Sequence, residues 1–185
     1  MEIELKAAAT PHDFEGILSL QQQNLYTSIS KEEQEQQGFV FAEHNLELLK
    51  NMANELPQVV AIADNKVVGY NLAMTASMKQ IVPSIIPMFE AFENCMYKGK
   101  PLTAYKYMVG GQVCVNKDFR GQGLLGKLYH ATKNLVGPDY ECCVTEISTR
   151  NLLSLKIHQR MGFEIVGTYH DGLELWNVVL WDFKR

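Results

Sequence analysis

Cysteines are few in this 185-residue sequence, and their spacing excludes a disulfide scaffold or a zinc site. They form no Cys-x-x-Cys pair and have no histidine at zinc-ligand spacing. Cysteines in such a pattern typically serve as small, buried hydrophobic side chains in proteins of a reducing compartment, so we expect a cytoplasmic protein. The four are Cys95, Cys114, Cys142 and Cys143.

Long hydrophobic runs are also missing, because no apolar stretch approaches the roughly 20 residues that span a bilayer. The start, Met-Glu-Ile-Glu-Leu, lacks the basic and apolar regions of a secretory signal peptide. Positive charge is scarce too, since 17 Lys and Arg against 21 Asp and Glu leave a net charge of −4. Nucleic acids and anionic membranes require a basic face, so neither is an expected partner.

The composition is that of an ordinary globular protein, with 46% hydrophobic and 21% charged residues. A length of 185 residues is about one domain at roughly 100–200 residues per domain. No internal repeat, low-complexity stretch or Pro/Ser-rich linker divides the chain. We therefore expect a single domain over residues 1–185.

The order of the predicted elements indicates a mixed α/β fold. A short alternating strand at residues 3–5 precedes three helices, two of which begin with capping boxes at Thr10 and Ser30. Residues 77–104 interrupt the later pattern with three prolines and a predicted helix. The other predicted elements are a hairpin over 59–74, a strand over 105–116, a helix over 122–136, a strand over 141–148, a helix over 152–161 and a hairpin over 163–180.

A glycine-rich turn between a predicted strand and helix is the first candidate binding site. Gly121, Gly123 and Gly126 allow backbone N–H groups to converge on an anion at a helix N-terminus. The glycines also satisfy the dinucleotide-binding pattern Gly-x-Gly-x-x-Gly, but residues 127–185 are too few for the remaining units of that fold. From this motif alone, a purely structural turn stays an open alternative.

A second element, at residues 151–163, follows the next predicted strand. Here Asn151, Ser154, Gly162 and Phe163 match the pattern Asn-x-x-Ser/Ala-x-x-x-Tyr-x-x-x-Gly-Phe. The earlier turn, Asp-Phe-Arg-Gly-Gln-Gly at residues 118–123, matches Gln/Arg-x-x-Gly-x-Gly/Ala at its glycines. In this order and spacing, the two motifs resemble those of the GCN5-related N-acetyltransferase superfamily, over roughly residues 58–180.

Three features depart from the pattern of that superfamily. Leu125 stands where glycine or alanine is usual, and His158 stands at the tyrosine position. The loop between the third and fourth strands is usually short, whereas residues 77–104 form an insert here.

The resemblance implies a mixed β-sheet of about seven strands, flanked by helices and splayed between the fourth and fifth strands. It implies acetyl-CoA as co-substrate, with its pyrophosphate on the backbone amides of the glycine turn and no metal ion. Gly110 and Gly111 would suit the bulge that opens such a splay. The residues implied in binding acetyl-CoA are Val113, Val115, Arg120, Gly121, Gln122, Gly123, Leu124, Leu125, Gly126 and Asn151.

The resemblance also implies direct acetyl transfer, which needs a base for the amine proton and a donor for the leaving thiolate. Residues 145–151 are similar to the Leu-Glu-Val-Arg-x-x-Asn stretch of ribosomal-protein N-terminal acetyltransferases, so Glu146 is the implied base. The alternative for Glu146 is a solvated or ion-paired strand residue. His158 is the candidate acid, with packing or capping as its alternative. The rival donors are Tyr97, Tyr105, Tyr107 and Tyr169.

These patterns predict an acetyl-CoA-dependent N-acetyltransferase acting on a primary amine of a small molecule or peptide, and a homodimer would be compatible with the superfamily. A catalytically silent acyl-CoA-binding or sensing module on the same fold is the alternative. We expect residues 77–104 to form a lid that selects a small cationic or aromatic amine, with Glu90 and Glu93 attracting the cation. The alternative for this segment is a helix packed on the sheet.

Overall fold

A computed structural model describes residues 2–184, in which a seven-stranded sheet is flanked by helices. The strands are β1 (Glu4–Ala7), β2 (Val59–Ala63), β3 (Lys66–Met74), β4 (Met96–Tyr97), β5 (Lys100–Pro101), β6 (Tyr107–Val115), β7 (Cys142–Ser148), β8 (Glu164–His170) and β9 (Leu175–Asp182). The α-helices are α1 (Pro11–Gln22), α2 (Lys31–Gln37), α3 (Leu46–Glu55), α4 (Ile86–Glu93), α5 (Leu124–Val136) and α6 (Leu152–Arg160). Across residues 2–184, no helix combines the length and apolar character needed to cross a membrane.

The main sheet has the strand order β1-β2-β3-β6-β7-β9-β8, while β4 and β5 form a separate small hairpin. Neighbouring strands of the main sheet are antiparallel except β6 and β7, which are parallel. The predicted seven-stranded mixed α/β sheet is therefore confirmed.

The fourth and fifth strands of the main sheet, β6 and β7, separate part-way along their length. Their pairing runs from Tyr107 opposite Cys142 to Val109 opposite Val144 and then ends, although both strands continue. On the other side of β6, Leu72 pairs with Gln112 and Ala73 with Gly110, so Gly111 is the extra residue of a bulge. The predicted splay is thus present, and its bulge falls at the predicted glycine pair.

Two helices, α5 and α6, begin beside the splay. The residue that precedes each of them favours the start of a helix. Gly123 precedes α5 with φ at 74°, a left-handed conformation that glycine adopts without steric cost. Leu124 and Leu128 of α5 are buried against β2 and β3, which fixes the helix on the sheet. Asn151 caps α6, since its Oδ1 accepts a hydrogen bond of 3.2 Å from the N–H of Ser154.

The insert at residues 77–104 is built into the hydrophobic core. It contains short 3₁₀ turns, α4 and the β4–β5 hairpin, and its Met78, Phe92 and Leu102 are fully buried. The predicted helix is present as α4, and Met96 lies beyond its end in β4, where it is exposed. The insert therefore forms a packed wall of the molecule, as in the packed-helix alternative, because its side chains hold it on the sheet.

Candidate active site

A cavity of about 610 Å³, here called the splay cavity, opens where β6 and β7 diverge. Residues 110–113 of β6 and 145–148 of β7 line it, and the insert contributes a third side. The segment from residue 39 to 44, which follows α2, contributes a fourth. The widened gap between the two strands thus becomes a cavity beside the predicted base.

A second cavity of about 500 Å³, the turn cavity, lies at the start of α5. Of the predicted acetyl-CoA residues, Gln122 alone does not line it, because its side-chain amide turns back to donate to the carbonyl of Asp118 at 3.3 Å. The nine that do are Val113, Val115, Arg120, Gly121, Gly123, Leu124, Leu125, Gly126 and Asn151. Phe39, Val40, Val113 and Asn151 line both cavities, which therefore adjoin.

The glycine turn has the geometry of an anion site. Gly121 and Gly123 both have φ at 74°, and a Cβ at either position would meet no atom within 4 Å. Since both residues line the turn cavity, a larger side chain there would extend into open space that a ligand could fill. The N–H groups of the first turn of α5 have no partner within the helix and lie at the positive end of its dipole.

The charge of the turn cavity also suits an anion. Among the described residues that line it, the charged side chains are Arg120 and Arg160, both cationic. Arg120 is held rigidly, because its Nε donates to the Val115 carbonyl at 2.9 Å and one Nη donates to Asn24 at 2.6 Å. Its backbone N–H already bonds the Lys117 carbonyl at 3.3 Å, so the amides suited to a phosphate begin after Arg120.

The segment from Gln37 to Val40 passes between the two cavities. Arg120 binds it by donating from Nη to the Gln37 side-chain oxygen at 3.0 Å. Asn151 binds it through Nδ2, which donates to the Phe39 carbonyl at 2.9 Å. We did not predict this segment, and its one signal in the sequence is Gly38, the residue that ends α2. Its φ of 72° brings the chain so close that a Cβ there would lie 2.9 Å from Asn151 Oδ1.

Glu146 lines the splay cavity from β7 and is half-buried. Burial raises the pKa of Glu146 to about 7, the hydrogen bond from the Tyr169 hydroxyl to Oε2 opposes that rise, and the nearby Asp171 carboxylate adds to it. A carboxylate with a pKa near neutrality takes up and releases a proton readily at physiological pH. The position and the pKa therefore suit a general base.

His158 is buried beneath the same cavity, with both ring nitrogens engaged. Nδ1 lies 2.8 Å from the Ser154 carbonyl, which can only accept, so Nδ1 carries the hydrogen. Nε2 therefore accepts from the Tyr129 hydroxyl at 2.9 Å. Burial lowers the pKa of His158 to about 4, so the ring is neutral at pH 7. These contacts favour packing over proton donation, and Tyr129 is a cavity residue that we did not predict.

Of the four rival tyrosines, Tyr169 is the one that bonds Glu146. The Tyr97 hydroxyl donates to Asp182 at 3.4 Å, and that of Tyr105 donates to the Tyr97 carbonyl at 2.9 Å. Tyr107 packs edge-on against Phe92 in the core. Burial raises the pKa of all four cysteine thiols, which makes a thiolate nucleophile unfavourable at neutral pH.

A scan against protein-family models and a search of curated protein sequences found no match. Solved structures do match. The NatC complex bound to Gag peptide and CoA contains a chain with TM-score 0.66 and 14% identity, covering 99% of both chains. The ribosomal-protein-S18-alanine N-acetyltransferase of Escherichia coli has TM-score 0.62 and 12% identity, covering 98% of this chain and 94% of that one.

NAA60 of Arabidopsis thaliana, solved in complex with acetyl-CoA, has TM-score 0.64 and 12% identity, covering 98% of this chain and 100% of that one. Likeness at such identities concerns the arrangement of strands and helices, and it extends over nearly the whole chain, beyond the region that the two motifs cover. The chain therefore has the fold of the GCN5-related N-acetyltransferases.

Proposed function

We propose that this protein is an acetyl-CoA-dependent N-acetyltransferase that transfers acetyl directly to a primary amine of a small molecule or peptide. The observation that carries the proposal is the junction of two cavities at the splay. One contains a glycine turn at a helix N-terminus, and the other contains a carboxylate whose pKa lies near 7. The acetyl-CoA complex of the NAA60 neighbour supports the same use of the fold.

Acetyl-CoA would occupy the turn cavity through its pyrophosphate. The first-turn amides of Leu124, Leu125 and Gly126 and the charge of Arg120 and Arg160 supply the anion contacts. The part of β6 that has left β7, including Val113 and Val115, offers backbone groups to the pantetheine arm. The acetyl end would then reach the splay cavity past the residues that line both cavities.

Glu146 would act on the amine, directly or through a water molecule. The ammonium group loses a proton to the carboxylate, and the neutral nitrogen attacks the thioester carbon. The carbon–sulfur bond then breaks and the electron pair leaves with sulfur as thiolate. The nitrogen loses its second proton, which the thiolate takes up directly or through water, so that an amide and free CoA thiol remain. No covalent enzyme intermediate is formed, in keeping with the raised pKa of the cysteine thiols.

The insert would contribute to the acceptor site as a fixed wall. Met78, Val82, Ile85 and Met88 line the splay cavity, whereas Glu90 and Glu93 are exposed and do not. The attraction of a cationic amine that we assigned to Glu90 and Glu93 would therefore come from the carboxylates that line the cavity, Glu43, Glu146 and Asp171. The four cysteines are unpaired, which supports a reducing compartment such as the cytoplasm.

The test is release of free thiol from acetyl-CoA across a panel of amines, amino acids and peptides, with mass spectrometry of the acetylated product. We expect release that depends on the amine and is absent with acetyl-CoA alone. Binding of acetyl-CoA without turnover of any acceptor would instead favour the acyl-CoA-binding module.

A further inference from the structure

We infer that the splay cavity selects an amine that carries an apolar side chain and has no carboxylate beside its nitrogen. This inference rests on the proposed function and narrows its acceptor class. Two observations support it: the charged side chains that line the cavity are carboxylates, and its apolar wall is rich in methionine.

The charges of the splay cavity are of one sign. Its lining within residues 2–184 includes Glu43, Glu146 and Asp171 but no lysine or arginine. Arg150 follows β7 nearby, yet its guanidinium is engaged by the Glu174 carboxylate at 2.5 Å. An acceptor carboxylate would therefore lie among carboxylates, without a cation to pair with, where a partly buried charge is costly.

Free amino acids carry such a carboxylate one carbon from the amine. If the nitrogen lies at Glu146, the carboxylate is held within a few ångströms of it. The amide of the same amino acid, or a peptide beginning with it, presents an uncharged carbonyl at that place. The cavity should therefore discriminate between an amino acid and its amide.

The apolar wall of the cavity is rich in methionine. Four methionines from α3, β3 and the insert line it, and all four are buried. Methionine side chains are unbranched and polarisable, so they adapt to aliphatic groups of different shapes. A Cβ on Gly111 would lie 3.2 Å from the Met52 Cε, which places this wall directly against the bulge that opens the splay. The four are Met52, Met74, Met78 and Met88.

The experiment compares four acceptors that differ by one group each: leucine, leucine amide, isopentylamine and glycine amide. Isopentylamine is leucine without its carboxylate, and it is more basic than leucine. Any advantage that it has over leucine below pH 9 therefore cannot come from a larger neutral fraction. A tripeptide beginning with leucine and ending in an amide distinguishes a peptide source from a small amine.

We expect kcat/KM to be roughly 10- to 100-fold higher for leucine amide and isopentylamine than for leucine, because the carboxylate of leucine would have no cation to pair with in the cavity. Leucine amide should exceed glycine amide by roughly 10-fold or more, because its side chain is buried. Met78→Ala should reduce the preference for leucine amide over glycine amide. Met96→Ala is the matched control, since Met96 belongs to the same insert but is exposed and lies outside the cavity.

Equal use of leucine and isopentylamine would overturn the charge part of the inference, and equal use of leucine amide and glycine amide would overturn the apolar part. Calorimetric titration of the same amines into the protein with CoA separates this inference from the proposed function. Preferential binding of leucine amide without turnover would contradict the proposed acetyltransferase activity and support the inferred selectivity. Turnover of all the amines without any preference would support the activity and contradict the selectivity.

Discussion

In the proposed reaction, proton transfer in the splay cavity depends on the environment of one carboxylate. Glu146 lies between the Tyr169 hydroxyl, which donates to it, and Asp171, which repels its charge. Val178 of β9 stands opposite it in the sheet and contributes no charge. Burial dominates, so the carboxylate holds its proton up to about pH 7. The rate of acetyl transfer should therefore fall as the pH drops through 7, because only the ionised form accepts a proton.

Replacing Glu146 by glutamine removes this base while preserving its shape. We expect Glu146→Gln to lower kcat roughly 10²- to 10⁴-fold, the usual contribution of a general base. Affinity for acetyl-CoA should change little, since Glu146 does not line the turn cavity. Glu90→Gln, at an exposed position on α4, is the control. Wild-type turnover by Glu146→Gln between pH 6 and 9 would exclude Glu146 as the base.

Tyr169 offers a finer test, because its hydroxyl stabilises the ionised form of Glu146. Tyr169→Phe removes that hydrogen bond, so the pKa of Glu146 should rise and the acidic limb of the pH–rate profile should move to higher pH. A hydrogen bond to a charged group corresponds to a shift of roughly one pH unit. Tyr97→Phe is the control, since the Tyr97 hydroxyl bonds Asp182 instead. An unchanged acidic limb in Tyr169→Phe would mean that another group titrates.

At the scale of elements, the glycine turn joins two separate requirements. The chain must reverse from β6 into α5, which the left-handed Gly121 and Gly123 allow. For the proposed function it must also leave the N-terminus of α5 open to an anion, and the absence of a Cβ at these positions keeps that space free. The turn therefore explains the positive φ at both glycines, while the open space beside them would accommodate the proposed ligand.

Gly123→Asp separates these two requirements. An aspartate tolerates positive φ better than most residues, so the fold should survive, but its carboxylate would extend into the turn cavity. We expect acetyl-CoA affinity, measured by calorimetry, to fall more than about 100-fold from charge repulsion and lost space. Gly99→Asp is a matched control, because Gly99 has φ at 76°, open space at its Cβ, and no place in either cavity. Equal affinities in the two variants would place the cofactor elsewhere.

At the scale of the whole molecule, the insert and the sheet form one core. Phe92 is fully buried between Phe89 and Tyr107, and a Cβ on Gly167 of β8 would lie only 2.6 Å from the Cys95 Sγ. The insert thus reaches from the start of β6 at Tyr107 to the edge strand β8. Movement of the whole segment would expose several large side chains at once.

Replacing residues 79–100 with a short Gly/Ser loop should therefore abolish cooperative folding. Removal of one buried phenylalanine costs about 3–5 kcal/mol, and this change removes Phe89 and Phe92 together with Met88 and Tyr97. A typical total stability is only about 5–15 kcal/mol. Circular dichroism melting is the measurement. A cooperative transition within a few degrees of the wild type, with a raised KM for the amine, would instead support the hypothesis that this segment is a movable lid.

The two motifs, through the family resemblance that they carry, and the alternation of strands and helices predicted the fold class, the position of the splay and nine of the residues that line the turn cavity. These features are local, because a glycine turn, a helix cap and a bulge each depend on a few adjacent residues. Tertiary structure alone decided the rest. The neutral His158 beneath Tyr129, the pKa of Glu146 and the hold of Arg120 and Asn151 on residues 37–40 depend on burial and on partners distant in sequence. Desolvation and long-range hydrogen bonds leave no periodic trace in the chain, so only the folded arrangement determines them.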